Sequence, residues 1–477
     1  MFLPSWLKIG IGIGKGEQML LVEYRTRRCA LFVVGLLFCF FLCAEPELVK
    51  TAASEAFASA LSYKQNTYDR IQFIHRIIGM SEKDFATLST EKRQGFVFSD
   101  GESSFLRTSC GTFAVGSFEV KNIQELRDLW AAKQKKNISA GKGFLRVVEG
   151  VGTKNSSWFR SFVDIGALQA NPCNKGTAFQ VASNFNALEA GGDPCDGVTR
   201  YLYTTAQGEE ASISAAPAAI YRMYFAQHHG VVGQFEQQIN FLEDVPLPHG
   251  GTFGVGRVHN GYLEVQHGGV LSKPGTMLSF AEMERLIPLV KVGVHSQVQV
   301  TSGLAMLPPN GYSAKTWDAK SLMEKSLKGE NVIVDDPEQR VTQIFTAAQN
   351  LAQLGTGTCW DDMARMLLHA AYEGTVRAAY VSGCSKLYLT LVGGGVFNNR
   401  IDWIVDSIER VMPLIRESGM EVTLVIYNGV DVSVRNRLKA IMLAANTGFT
   451  FYTVYKNDGV YMLFDQGERG FYERMTL

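Results

Sequence analysis

The chain has 477 residues, 46% hydrophobic and 19% charged, and its 46 basic side chains balance 46 acidic ones. This is ordinary globular material, long enough for two or three domains. A formal net charge of +0 gives no electrostatic case for nucleic acid, and no repeat of about 20–50 residues points to a solenoid.

Arg25, Arg27 and Arg28 precede an uncharged, Leu- and Phe-rich run at residues 29–44. The run fits a signal-peptide core better than a full membrane span, which needs about 20 residues. A membrane anchor and a buried helix are the alternatives. Residues 1–44 are therefore expected to route the chain to the secretory pathway or tether it to a membrane. If they are not a working leader, the chain is cytoplasmic. Membrane contact is expected through this segment alone.

Of the eight cysteines, Cys29, Cys39 and Cys43 fall in the leader and five are widely spaced. No Cys-x-x-Cys pair or zinc-spaced histidine occurs, so no structural metal is expected. Cys173 and Cys195 flank one segment and are placed to bridge outside the cell. Asn137-Ile138-Ser139 and Asn155-Ser156-Ser157 match the glycosylation sequon.

Residues 45–140 read as a mostly helical packing segment. A helix is expected over 49–78, one or two strands over 105–120, and a short helix over 123–132. The body, residues 141–445, opens with a strand at 144–148. A second strand, 178–182, ends in Asn184, Asn186 and Glu189. Polar residues at the carboxyl end of a buried strand are where open α/β sheets put ligands, although the asparagines also suit Asx turns. Glu189 follows an apolar pair and precedes a small residue and two glycines, a setting for a raised pKa and acid/base work.

Gln207-Gly208-Glu209-Glu210 runs into a helix over 211–225, and acids at a helix start complement its dipole. His228 and His229 sit in a loop, as surface residues or as metal ligands. Hairpins are expected over 250–269, with a turn at His259-Asn260-Gly261. A helix (280–290), a strand (290–300) and a strand-to-loop unit ending in Gln349-Asn350 follow. A long helix covers 361–381, and Cys359 before it is placed for a lowered thiol pKa. Then comes a strand at 387–392, buried on both faces. It leads into Gly393-Gly394-Gly395-Val396-Phe397-Asn398 and a helix at 401–415. Strand, glycine loop and helix start aim backbone N–H groups at an anion; a tight turn is the plainer reading. A buried strand at 421–427 follows, and residues 446–477 form a closing hairpin.

A strand ending in Gly-Gly-Gly-Val-Phe-Asn, an amphipathic helix and a last buried strand ending in Tyr427-Asn428 resemble the carboxyl half of a macrodomain. Val181-Ala182-Ser183-Asn184-Phe185-Asn186 is similar to that family's first ligand loop. Gln207 to Glu210 resembles the Gln-Glu-Glu signature of poly(ADP-ribose) glycohydrolases with a glycine inserted, and Asn398 stands where many macrodomains have another glycine. The resemblance implies an α/β fold, a three-layer α/β/α arrangement on a mixed, largely parallel sheet, preceded by the mostly helical segment. It implies a nucleotide-like small-molecule ligand of the ADP-ribose class, with no cofactor. The amides of Gly393, Gly394, Gly395, Val396, Phe397 and Asn398 would take the phosphates, Phe397 covering them, and Asn184 and Asn186 would orient the ribose. Glu189, or else Glu209 or Glu210, would be the acid or base, with Gln207 positioning a water or ribose hydroxyl. The alternatives are a non-catalytic binding protein on the same scaffold and an acyl hydrolase using the glycine loop as an oxyanion hole. The latter lacks a Gly-x-Ser-x-Gly elbow.

Overall fold

A computed structural model describes residues 7–11, 20–24, 70–101, 103–136, 142–150, 163–189, 197–203, 207–247, 255–266, 279–304, 331–354, 360–427, 429–445, 451–457, 460–465 and 475–476. The leader at 29–44, both sequons, Cys195 and Cys359 lie outside these residues. Among the described residues no helix is long and apolar enough to cross a membrane.

One twelve-stranded sheet organises the chain. Its strands are β1 (Val97–Asp100), β2 (Ser103–Thr108), β3 (Gly111–Asn122), β4 (Phe144–Gly150), β5 (Ala178–Ala182) and β6 (Lys291–Gln299). They continue with β7 (Arg340–Thr346), β8 (Lys386–Thr390), β9 (Glu421–Ile426), β10 (Phe451–Asn457), β11 (Val460–Asp465) and β12 (Met475–Thr476). The order across the sheet is β12-β11-β10-β4-β9-β8-β5-β7-β6-β3-β2-β1. From β10 to β7 every pairing is parallel; outside that block every pairing is antiparallel. The sheet is mixed, as expected, with its parallel strands side by side at the centre. β10 and β11 pair antiparallel, and β10 pairs parallel with β4.

Helices cover both faces of the sheet, as β6 makes plain. Its Val292 meets Gly374 of the long helix Asp361–Val381, while His295 bonds Arg222 of the helix Ala216–Tyr224 on the other face. Residues three apart on a strand point to opposite sides, so these helices sandwich the sheet.

Two stretches differ from the pattern reading. The helix expected over 211–225 is two helices, α1 (Gln207–Ser214) and α2 (Ala216–Tyr224). Pro217 lies in the first turn of α2; it has no N–H to continue a helix and restricts the residue before it, so the chain breaks at Ala215. Helix α1 also begins earlier than expected, which puts Gln207 to Glu210 in its first turn. Residues 97–122 form three strands that extend the main sheet through the pairing of β3 with β6.

Candidate functional site

β5, β7 and β8 are adjacent and parallel, so the loops leaving them emerge side by side at one edge. That edge receives residues 183–189, 347–350 and 391–399. Ligands of open parallel sheets sit at such an edge because the connections leave room between them.

The asparagine loop is anchored from behind. Ser183 donates its N–H to the Thr346 carbonyl at 2.8 Å. Asn186 is fully buried; its Oδ1 accepts from the Leu188 N–H at 3.0 Å, and its Nδ2 donates to Gln238 at 3.1 Å. Ala187 takes φ 59, and Arg222 Nε donates to its carbonyl at 3.0 Å. Asn184 instead shares a hydrogen bond with the Tyr262 phenol. Tyr262 opens the second strand of a hairpin (Val255–His259 with Tyr262–Gln266), and its ring lies 6.1 Å from that of Phe397. One tyrosine therefore joins the asparagine loop to the glycine loop.

The glycine loop packs on the turn after β7. Asn399 is buried and donates Nδ2 to the Gln349 carbonyl at 2.8 Å, and the Leu351 N–H reaches the Phe397 carbonyl at 3.0 Å. The three glycines do different work. Gly393 has φ +76, and a Cβ there would lie 2.6 Å from that of Ala348. Gly394 is tight against Ile404 and the Leu391 carbonyl, whereas a Cβ on Gly395 would meet nothing. The amides of Gly394 and Asn398 are engaged, with the carbonyls of Leu391 and Gly395. Those of Gly395, Val396 and Phe397 are the candidates for an anion. Asn398 has φ 54, a conformation that glycine takes freely and asparagine tolerates better than most residues.

Glu189 is buried on the same edge, and its Oε1 has no hydrogen-bond partner among the described residues. Burial holds its pKa well above the usual carboxylate value; the Glu209 charge adds to this and Arg222 opposes it. Its N–H donates to the Tyr201 phenol oxygen at 2.9 Å. Beside it runs the first turn of α1: a Cβ on Gly208 would lie 2.4 Å from the Ala182 carbonyl oxygen and 2.9 Å from Glu189 Oε2. The glycine that interrupts the Gln-Glu-Glu pattern is the residue that lets this helix approach β5 and Glu189. Thr346 Oγ1, Gln349 Oε1 and Asn350 Oδ1 likewise lack hydrogen-bond partners among the described residues. Buried polar atoms are nearly always paired, which makes an edge carrying several such atoms a candidate binding site.

Behind the loop lies Arg222, fully buried, its guanidinium 3.9 Å from the Phe345 ring centroid and bonded to His295 Nδ1 at 3.1 Å and to Ser212. Burial lowers its pKa to about 10. Burial and the Arg222 charge hold His295 well below the ordinary histidine value, so it stays neutral and Nδ1 accepts.

The structure brings Asn184, Glu189 and the loop from Gly393 to Asn398 to one edge. Gln207 comes near Glu189 only through its neighbour Gly208; its side chain turns away. Gln207 Oε1 accepts from the Ile165 N–H at 2.8 Å, and Nε2 donates to Asp164 at 2.9 Å. Tyr262, Tyr201 and Arg222 carry no signal in the sequence that marks them for this edge. Asn260-Gly261 signals a hairpin tip, but nothing local says where that tip lands.

No family model matches the chain, and no curated protein matches it in sequence. Among solved structures, the chain is similar to poly(ADP-ribose) glycohydrolase from Deinococcus radiodurans in complex with ADP-ribose: 10% identity, 69% of this chain and 95% of that one covered, TM-score 0.35. It is also similar to poly(ADP-ribose) glycohydrolase from Thermomonospora curvata, at 11% identity, 75% and 96% coverage and TM-score 0.33. For the Deinococcus radiodurans enzyme in its apo form the values are 12%, 68%, 94% and 0.32.

Proposed function

We propose that this chain binds an ADP-ribose-like nucleotide across the carboxyl ends of β5, β7 and β8 and hydrolyses an ADP-ribosyl bond there. The carrying observation is Glu189, a buried carboxyl with an unpartnered oxygen, on the same edge as an exposed glycine loop. The amides of Gly395, Val396 and Phe397 would face the pyrophosphate and Asn184 the ribose, with Tyr262 and Phe397 as an aromatic wall. Cleavage at an anomeric carbon needs a proton on the leaving oxygen and an attacking water. Glu189, whose protonated form burial favours, supplies the proton, and the carboxylate this leaves takes one from the attacking water. Glu209, whose charge reaches Glu189, is the second carboxylate and would stabilise positive charge developing on the sugar.

Release of ADP-ribose from an ADP-ribosylated protein tests the catalytic half. Glu189→Gln should bind ADP-ribose as wild type does but release it about 10²–10⁴ times more slowly. Equal rates for the two proteins would remove Glu189 from the reaction.

Binding without turnover is the second reading, favoured by the Gln207 side chain. Its amide is engaged at both ends with Asp164 and Ile165, leaving the water without that partner. On this reading wild type binds and never releases product.

A further inference from the structure

Away from this edge, the strands Gln227–His228 and Val231–Val232 form a small hairpin. His229 and Gly230 both take positive φ, 47 and 81, the left-handed pair of a type I′ turn. Both imidazoles reach Glu243, on the segment whose Phe241 carbonyl accepts the N–H of Lys291 in β6. His229 Nε2 is 2.9 Å and His228 Nε2 3.3 Å from the same atom, Glu243 Oε2. The three candidate donor atoms all lie within 4.8 Å of one another. The other carboxylate oxygen, Oε1, is held by the Lys291 ammonium, which also bonds Asp244 at 2.8 Å.

We propose that His228, His229 and Glu243 form a binding site for a divalent d-block cation of the zinc type, with water completing the shell. Two imidazole nitrogens and one carboxylate oxygen are the donor set that such borderline ions prefer. A tetrahedral centre with bonds of about 2.0–2.1 Å separates its donors by roughly 3.3 Å. The His228–Glu243 spacing already has that value, and the exposed His229 ring has room to withdraw a few tenths of an ångström. On binding, each imidazole offers its Nε2 lone pair and carries its proton on Nδ1, so no net proton need leave. Lys291 serves as an outer-sphere partner that fixes the carboxylate and leaves Oε2 for the ion. Glu243, Asp244 and Lys291 together carry one net negative charge, which favours a dication.

The site would clip the hairpin to a segment that supports the asparagine loop. Gln238 accepts from Asn186, and the Phe241 N–H donates to the Phe185 carbonyl at 2.8 Å. Metal bound here should therefore raise the unfolding temperature whether or not the nucleotide reading holds.

The test is titration of the untagged full chain with Co²⁺, followed by visible absorption, and with Zn²⁺, followed by calorimetry and thermal unfolding. Wild type should take up one equivalent with a low-coordinate Co²⁺ band and a raised unfolding temperature. His229→Asn keeps a residue that accepts the left-handed turn, and Glu243→Gln keeps the shape; each should weaken binding at least about tenfold. Absence of the band in wild type, or its survival at equal affinity in both variants, would overturn the site.

Discussion

A single methyl group at Gly208 should disable the candidate site while leaving the rest of the fold standing. In Gly208→Ala the new Cβ would sit 2.4 Å from the Ala182 carbonyl oxygen, inside the 3.0 Å that such atoms keep, and 2.9 Å from Glu189 Oε2. The carbonyl belongs to the end of β5 and does not move cheaply, so the first turn of α1 must withdraw by at least about 0.6 Å. Overpacking of this kind costs about 1–3 kcal/mol. A shift approaching 1 Å beside a catalytic group costs roughly 10²-fold in rate. Thermal unfolding measures the first effect and release of ADP-ribose from a modified protein the second. An alanine variant with unchanged unfolding temperature and a rate within twofold of wild type would refute this account of why a glycine stands there.

Glu189→Gln should also change the pH dependence of stability. Burial raises the carboxyl's folded pKa above its ordinary 4.5, so the folded state holds a proton that the unfolded chain releases. Stability should fall as pH climbs from 4.5 through the folded pKa, and the glutamine variant should lack that fall; a variant that loses ground to wild type as pH rises contradicts it. Glu82 accepts from the N–H groups of Val198 and Thr199 at 2.6 Å each and from the Tyr224 phenol at 2.8 Å. Glu82→Ala should cost about 2–4 kcal/mol in chemical unfolding and loosen the turn carrying Tyr201, whose oxygen accepts the Glu189 N–H; a loss under about 1 kcal/mol would deny this link. Asn398→Ala should cost about 1 kcal/mol at φ 54, while Asn398→Gly should be neutral or better; the reverse order would contradict the backbone assignment.

The parallel block and the loops at its edge are legible in the sequence because their signals are local. Residues 178–182 and 361–381 match β5 and the long helix to the residue, each being a periodic run with clear ends. The glycine loop declares itself by composition. The break at Ala215 escapes the pattern because apolar periodicity runs through Pro217. Tyr262, Arg222 and Glu82 are invisible for another reason. Each acts on a loop far away in the chain: Tyr262 on Asn184, Arg222 on Ala187, Glu82 on Val198. Pattern gives the face of an element but not which remote loop a side chain will hold. Gly208 looks like a defect in a motif because its purpose, a close approach to Ala182, exists only once the strand and helix are packed.

Calorimetry of the full chain with ADP-ribose, beside Gly395→Glu, bears most directly on the nucleotide site. A Cβ on Gly395 meets nothing within the protein, so the variant should fold as wild type and differ only by an acid set against the phosphates. One-to-one binding by wild type, weakened at least about tenfold in the variant, a gap of about 1.4 kcal/mol, is the expected result. No heat from wild type, or equal affinity in both proteins, would contradict it.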